Sequence, residues 1–298
     1  MTELPLILNP TAGRGRALKR LPAIADVLAR HGIEIKTVFS RSRGDIEVRV
    51  REAIESGCPR LLVAGGDGTV HETVNGILRG DESCEFGLLP VGTGNDFAKA
   101  MGIPLDHLAA ARLLGERLAQ NLPARRIDAG RCNERFFANG AGIGIDARVA
   151  EIAARIRLPM GNLVYVIGIV RCLIEGIATP SMSVSRDGET LWSAPATLVN
   201  VANGDWLGGQ FHIAPRADPA DGELDLVVAD AVTRRRIVQL VPRLMKGEHM
   251  DAPEVHSHRV TTIEVRGSEP LIAHLDGELL PKHTHYRIEC LPGALALL

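Results

Sequence analysis

The sequence predicts two domains of different class: an open, parallel α/β sheet followed by a β-rich, sandwich-like domain. Three observations predict this. Apolar runs of strand length alternate with helix-length stretches as far as residue 92. Near residue 126 the texture changes, and short strand-like runs dominate beyond it. The 298 residues suffice for one large domain or two ordinary ones, and 45% apolar residues can fill a core, although only 3% are aromatic.

The elements follow in order. "LPLIL" (4–8) is a continuous apolar run of strand length. "RALKRLPAIADVLARHG" (16–32) spaces its apolar residues helically and stops at Gly32. "IEIKTVF" (33–39) is a strand, "GDIEVRVREAIESG" (44–57) a helix and "RLLVAG" (60–65) a strand. "TVHETVNGILRG" (69–80) is a helix and "FGLLPVG" (86–92) a strand. "RIDAGRCNERFFANGAG" (126–142) reads as a hairpin turning near Asn133. Two helical stretches, 145–156 and 162–177, come next. Strands are then expected at 181–186, 190–193, 196–202, 209–213, 223–229, 259–265, 271–275 and 285–290. The helix "TRRRIVQLVPRLMKG" (233–247) interrupts them, with Thr233 as its cap.

Bulk properties exclude several classes. With 34 basic and 36 acidic residues the net charge is −2, which argues against nucleic acid as a partner. Five cysteines (Cys58, Cys84, Cys132, Cys172 and Cys290) lie far apart without a C-x-x-C pair. That indicates neither a disulfide framework nor a cysteine zinc site, and fits a reducing cytosol. "MTELPLILNP" has no basic segment before its apolar run, so no signal peptide is expected. "LPMGNLVYVIGIVRCLIEGI" (158–177) is interrupted by Asn162, Arg171 and Glu175, so it reads as a core helix rather than a membrane span.

Three strands end in loops rich in glycine: "NPTAGRGR" (9–16), "GGDGT" (65–69) and "PVGTGNDFA" (90–98). In an open parallel sheet such loops line one ligand crevice. Glycine lets backbone N–H groups approach a phosphate, and the helix starts that follow add partial positive charge. A single loop of this kind is more often a turn; three at one edge point to a phosphate ligand. No Walker A or G-x-G-x-x-G pattern is present.

Asp-Gly-Glu occurs three times, at 187–189, 221–223 and 276–278. The first joins two short alternating strands and reads as a hairpin turn. The second lies in "ADPADGELD" (217–225), where four acids in nine residues suit either a Mg²⁺ or Ca²⁺ oxygen site or a solvated turn. The third, in "IAHLDGELLP" (272–281), is flanked by apolar residues. Its acids are expected to be partly buried, which suits general-base work, with a hairpin turn as the alternative. The "HSH" (256–258) and "HTH" (283–285) runs read as exposed strand positions.

"GGDGT" followed by "HETVNG" (71–76), with "NPTAG" upstream and "PVGTGNDFA" downstream, resembles the diacylglycerol kinase catalytic-domain family. Within it the chain is similar to soluble bacterial lipid kinases of the YegS and DgkB kind. The resemblance extends over "GNLVY" (161–165), "ADPADGELDLV" (217–227) and "LDGE" (275–278), hence nearly the whole chain. GGDGT alone is shared in close variants with NAD kinases and phosphofructokinases; GTGNDFA is what points to lipid kinases.

The resemblance implies an NAD-kinase- or phosphofructokinase-like nucleotide-binding α/β domain over 1–126, to which a segment of about 286–298 returns. The β-rich lipid-substrate domain would cover 127–285. It implies transfer of the γ-phosphate of ATP to a hydroxyl of a diacylglycerol-like lipid, dependent on Mg²⁺. ATP would lie across Asn9, Pro10, Thr11, Ala12 and Gly13, then Gly65, Gly66, Asp67, Gly68, Thr69, Val70, His71 and Glu72, and Gly92, Thr93 and Asn95, with Ser40 near the adenosine. Arg14, Arg16 and Lys19 are either a solvated helix start or neutralise the ATP tail. Mg²⁺ would bridge the phosphates and Asp67, and Asp96 would hold the polar network together. Glu278 would be the general base, with Asp276 beside it. A structural Mg²⁺ would sit on Asp218, Asp221 and Glu223, the outer two in part through backbone carbonyls. The expected partners are ATP and a lipid at a membrane surface, with no nucleic acid and no transmembrane segment; oligomeric state stays open, a homodimer included. The expected location is cytoplasmic and transiently peripheral to the inner membrane face. Helix 162–177 or helix 233–247 would dock there, the latter setting Arg234, Arg235, Arg236, Arg243 and Lys246 against Ile237, Leu240, Val241 and Leu244; for either single helix, packing on its own domain, with the arginines of 233–247 in water, is the more common role.

Two alternatives stand beside this reading. A soluble nucleotide kinase of the NAD kinase type shares GGDGT, but the β-rich part has no "TPTGS"-like segment and GTGNDFA would have no role. A non-catalytic nucleotide- or lipid-binding regulator would not need Asp67, Asp96, Asp276 and Glu278, all of which are present.

Overall fold

The computed structural model describes residues 2–80, 84–156, 161 and 163–298. They form two compact units, Met1–Ile127 with Gly293–Leu298, and Asp128–Pro292.

The first unit alternates β1 (Thr2–Leu8), α1 (Ala12–Arg30), β2 (Ile33–Phe39), α2 (Asp45–Glu55), β3 (Arg60–Gly65), α3 (Asp67–Leu78) and β4 (Glu85–Pro90). The short α4 (Asp96–Ala100) and α5 (His107–Ala119) follow. The strands are parallel in the order β2-β1-β3-β4, and Ala296 and Leu297 extend the sheet beside β4. The continuous apolar runs end up where both sheet faces are covered: Leu6, Leu8, Leu62 and Ala64 are fully buried. Within α1 the backbone of Gly13, Arg14 and Gly15 is left-handed, so regular helix starts at Arg16. The sequence pattern gives no element for 107–119. Asp106 nevertheless caps α5 there, its carboxylate accepting from the N–H groups of Leu108 and Ala109, while Ala110, Ala111 and Leu114 pack into the core.

The chain enters the second unit along β5 (Arg125–Cys132). β6 (Arg135–Phe137), β7 (Gly140–Gly144), α6 (Ile145–Arg155), α7 (Leu163–Glu175), β8 (Ser181–Arg186) and β9 (Glu189–Ala202) follow. Next come β10 (Trp206–Leu207), β11 (Phe211–His212), β12 (Leu224–Asp230), α8 (Arg234–Lys246) and β13 (Val255–Val260). β14 (Thr262–Leu271), β15 (Ala273–Leu275), β16 (Glu278–Leu279) and β17 (His283–Leu297) complete the chain. Two antiparallel sheets result, β17-β14-β8-β9 and β13-β12-β9-β7-β15-β16. One apolar cluster, including Val184, Val201, Leu226, Val265 and Tyr286, draws on both.

Three strand expectations change in detail. The runs 190–193 and 196–202 form one strand, β9, which pairs with β8 up to Pro195 and with β7 and β12 from Ala196. Pro195 has no N–H to donate, so it suits the crossover between ladders. The run 259–265 divides into β13 and β14 around Thr261. In 209–213 only Phe211 and His212 are paired, with β10.

The apolar residues read as the lipid-facing side of helix 233–247 mostly face the protein. Ile237 is buried, and Leu240, Val241 and Leu244 are half-buried. Arg236 pairs with Glu254, and Arg243 donates to the carbonyl of Glu248. Arg234 and Arg235 are exposed. Among the described residues no helix is long and apolar enough to cross a membrane.

Candidate active site

In the first unit, the three glycine loops meet at the carboxyl ends of β1, β3 and β4. Asn9 N–H donates to the carbonyl of Ala64 (3.2 Å), and Val91 N–H to that of Gly65 (2.9 Å). The glycines are what allow the approach. A Cβ on Gly13 would lie 2.2 Å from the Val91 carbonyl oxygen, and one on Gly92 2.4 Å from Gly66 Cα. Asn9 folds its own loop: its Oδ1 accepts from Thr11 N–H (3.0 Å) and Thr11 Oγ1 (2.7 Å). Pro10 and exposed Thr11 precede buried Ala12, and Ser40 N–H donates to Leu8 O (3.0 Å).

The acids of this edge sit at helix starts. Asp67 opens α3 and accepts from Phe97 N–H (3.2 Å), tying the second loop to the third. Asp96 opens α4, is buried, and pairs with Lys99 at 3.1 Å. Asn95 is left-handed (φ 53°) and buried, and its Oδ1 has no hydrogen-bond partner among the described residues. That oxygen points at the Gly66–Gly92 contact, 2.7 Å from where a Gly92 Cβ would be. Gly68 and exposed Thr93 also belong to this edge, whereas Thr69, Val70 and His71 are buried within α3. Thr69 fills the space that a Gly65 Cβ would need. Both Glu72 carboxylate oxygens are occupied at the start of α2, accepting from Gly44 N–H (2.9 Å) and Ile46 N–H (3.0 Å). Glu72 thus holds two helices together.

In the second unit, two of the Asp-Gly-Glu copies are the same hairpin turn. Asp187 and Gly188 have φ 50° and 83°; Asp276 and Gly277 have φ 51° and 87°. Their surroundings separate them. Asp187 is exposed. Asp276 accepts three backbone N–H bonds from one segment: Ala138 (3.0 Å) on Oδ2, and Asn139 (2.8 Å) and Gly140 (3.0 Å) on Oδ1. Its own N–H donates to Gly140 O (2.9 Å). The turn is therefore pinned to residues 138–140, and half-buried Glu278 follows it at a fixed place on β16. Sequence reading missed these anchoring positions, because "ANG" carries no mark of what its N–H groups meet.

The middle copy is a different structure. Asp221 and Glu223 both pair with Arg259, the latter at 2.8 Å. The other Asp221 oxygen accepts from Glu223 N–H (3.0 Å), and Asp218 accepts from Ala220 N–H (3.1 Å). Buried Asp128 holds the loop from below through Gly222 N–H (2.7 Å). Burial pushes the Asp225 carboxyl up from its ordinary value, against the pull of Arg259. Among the described residues no group of three acids, histidines or cysteines is placed to hold a metal ion. The donors of this loop, with a guanidinium between two of them, do not fit a divalent cation as they stand.

The α/β unit with converging glycine loops and the β-sandwich that carries the pinned acidic hairpin each match a family of kinases of the diacylglycerol kinase class. Residues 3–127 match the diacylglycerol kinase catalytic domain, and residues 140–298 the YegS C-terminal NAD kinase beta sandwich-like domain. The chain belongs to this family of YegS-like lipid kinases and diacylglycerol kinases. The Xanthomonas campestris protein named "Probable lipid kinase YegS-like" is 31% identical over 98% of this chain and 94% of its own. The diacylglycerol kinase of Mycobacterium tuberculosis is 29% identical over 99% and 94%. A crystal structure of a diacylglycerol kinase from Bacillus anthracis superposes with a TM-score of 0.76 at 23% identity, covering 99% of this chain and 96% of that one. Yeast NADH kinase shares the fold at a TM-score of 0.54 and 8% identity, covering 100% and 83%.

Proposed function

We propose that this kinase transfers the γ-phosphate of ATP to a hydroxyl of a diacylglycerol-like lipid, with Mg²⁺, and that Glu278 is the general base. In this reading residues 1–126, with the C-terminal segment, hold the nucleotide, and residues 127–285 carry the lipid and the base. The contrast between the two hairpins is the observation that carries it. The three N–H bonds stabilise one Asp-Gly turn, while its twin lies in water, and they also give the residue after the pinned turn, Glu278, a fixed position that general-base work requires.

The chemistry follows from the residues. Backbone N–H groups at the glycine loops and the start of α3 suit phosphate oxygens. Asp67 and Asp96 add negative charge at the same edge, so a polyphosphate there needs a cation. Asp67 offers a hard oxygen donor of the kind that would hold Mg²⁺ beside the phosphates, which when bound would offset their charge. Arg16, whose Nε donates to Gly13 O (2.7 Å), stiffens the first loop. As the lipid oxygen bonds to the γ-phosphorus, the bond from that phosphorus to the bridging oxygen breaks. ADP leaves, and Glu278 takes the hydroxyl proton. Asp276 holds the turn rather than exchanging protons. A second cation at Asp218, Asp221 and Glu223 would have to displace Arg259.

The lipid reading also supports a peripheral position on the cytoplasmic membrane face. α7 leaves Leu163 47%, Val170 48% and Ile174 72% exposed on one side, and α8 leaves Arg234 and Arg235 in water. Apolar and basic side chains of this kind suit an anionic bilayer surface.

The test is phosphate transfer from labelled ATP to diacylglycerol, monoacylglycerol, phosphatidylglycerol or a sphingoid base in mixed micelles, against NAD in solution. Label in a lipid, identified by mass spectrometry, supports the proposal. Label in NAD alone would overturn it.

A further inference from the structure

Behind the pinned turn lies a buried polar group that the reaction as described does not use. His274, on β15, is 1% exposed. Its Nδ1 accepts the N–H of Gly277, the residue before Glu278, at 3.0 Å. A backbone N–H can only donate, so Nδ1 must carry the lone pair, and in the neutral ring the proton sits on Nε2. Nε2 makes no hydrogen bond among the described residues, and its charged neighbour is Asp146 Oδ2, 3.5 Å away at the first turn of α6. Asp146 is fixed in its turn: Oδ2 accepts from Asn200 Nδ2 on β9 (3.2 Å) and Oδ1 from Ala147 N–H (2.7 Å). Space has been cleared for this pair. A Cβ on Gly142 of β7 would lie 2.0 Å from Asp146 Oδ2 and 2.4 Å from His274 Nε2.

We propose that His274 is a positioning residue for Glu278: its Nδ1 fixes the Gly277 N–H and with it the start of β16, and the nearby charge of Asp146 favours the proton on Nε2. The hairpin is then held from two sides, at Asp276 by residues 138–140 and at Gly277 by His274. A core-filling role alone would not need a ring nitrogen aimed at the Gly277 N–H, or a carboxylate facing the other nitrogen. The same hairpin at 187–188 shows that the turn forms without such support. What the support adds is a fixed direction for Glu278.

This inference rests on Glu278 being the base, and the experiment separates the two. Four variants are compared in steady-state transfer to the accepted lipid: Glu278→Gln, His274→Leu, His274→Asn and the double variant His274→Leu/Glu278→Gln. Urea unfolding checks that each is folded. A fall of about 10²–10⁴-fold for Glu278→Gln secures the base; no fall would sink the base reading whatever His274 does. With the base secured, His274→Leu should lower kcat by about tenfold to a hundredfold, a part of the base's own contribution, with KM for ATP and lipid within about twofold. His274→Asn keeps an acceptor near the place of Nδ1 and should recover most of that loss. The double variant should be no slower than Glu278→Gln alone, because the histidine acts only through that carboxylate. If His274→Leu keeps wild-type kcat, or its penalty multiplies undiminished onto Glu278→Gln, or His274→Asn fails to recover activity while folded, the proposal is overturned. Should His274→Leu not fold, Asp146→Asn takes its place. It removes the charge that favours the proton on Nε2, with the same kcat loss and the same absence of an added effect on Glu278→Gln expected.

Discussion

Replacing Asp276 by Ala removes the acceptor of three backbone N–H groups, whereas replacing Asp187 by Ala changes the same turn with none of them. Both substitutions put Ala at a left-handed position, at about 1–2 kcal/mol each, so this cost cancels in the comparison. Bonds to a charged acceptor contribute about 1.5–3 kcal/mol apiece. Asp276 is half-buried, so the low end applies, and three bonds bring the difference to about 4–5 kcal/mol. Both tryptophans, Trp192 and Trp206, lie in the second unit, so their fluorescence reports its unfolding directly. At a urea slope of about 2–3 kcal/mol/M, the Asp276→Ala midpoint should fall about 1.5–2 M below that of Asp187→Ala. Amide exchange at Ala138, Asn139 and Gly140 should accelerate in the first variant alone. Midpoints within about 0.5 M of each other would refute the pinning of this turn as a major stabilising feature.

Three further outcomes follow from the structure. Burial lowers the His249 pKa from its ordinary 6.5, only partly offset by the bond to Ile213 O. The unfolded chain therefore binds the proton more readily. Stability is complete above about pH 6.5 and falls as the pH drops below it, at no more than about 1.4 kcal/mol per pH unit, and His249→Gln should flatten that part of the urea-midpoint profile. Arg259→Met frees Asp221 and Glu223, so without ATP its melting temperature should rise with added Mg²⁺ more than that of the wild type; equal responses would mean Arg259 does not compete with a cation there. Arg234→Ser/Arg235→Ser should weaken binding to anionic vesicles by up to about 30-fold, at about 1 kcal/mol per arginine, and Ile174→Ser should weaken it further. Turnover of a monomeric short-chain lipid should not change, and equal loss on both substrates would exclude docking by these helices.

Much of the first unit was legible because its signals are local. Apolar runs bounded by Gly, as in "RLLVAGG" and "FGLLPVG", announce both the strand and the loop beyond it. The helix α5 escaped although Asp106 is a good cap, because its Ala-rich face alternates weakly between core and solvent. In the second unit the copies of Asp-Gly-Glu at 187 and 276 are the same turn in sequence and in backbone. What separates them is supplied by Ala138, Asn139 and Gly140, more than 130 positions away in the chain, and by His274, whose role depends on Asp146 and Asn200. The acidic loop shows the converse. Its composition suits a metal, but Arg259 comes from a neighbouring strand to meet the carboxylates, and no spacing rule within 217–225 reveals it. The apolar periodicity of helix 233–247 suits either a lipid face or packing on the β-domain, and Leu244 shows that it serves packing.

Glu278, on its pinned hairpin, is proposed to take the proton from a lipid hydroxyl. Single-turnover transfer from ATP by Glu278→Gln tests it most directly, with ATP affinity and the tryptophan-monitored unfolding midpoint measured on the same sample. The transfer rate should be lower by about 10²–10⁴-fold with both controls unchanged. Transfer at close to the wild-type rate, on every lipid the enzyme accepts, would contradict it.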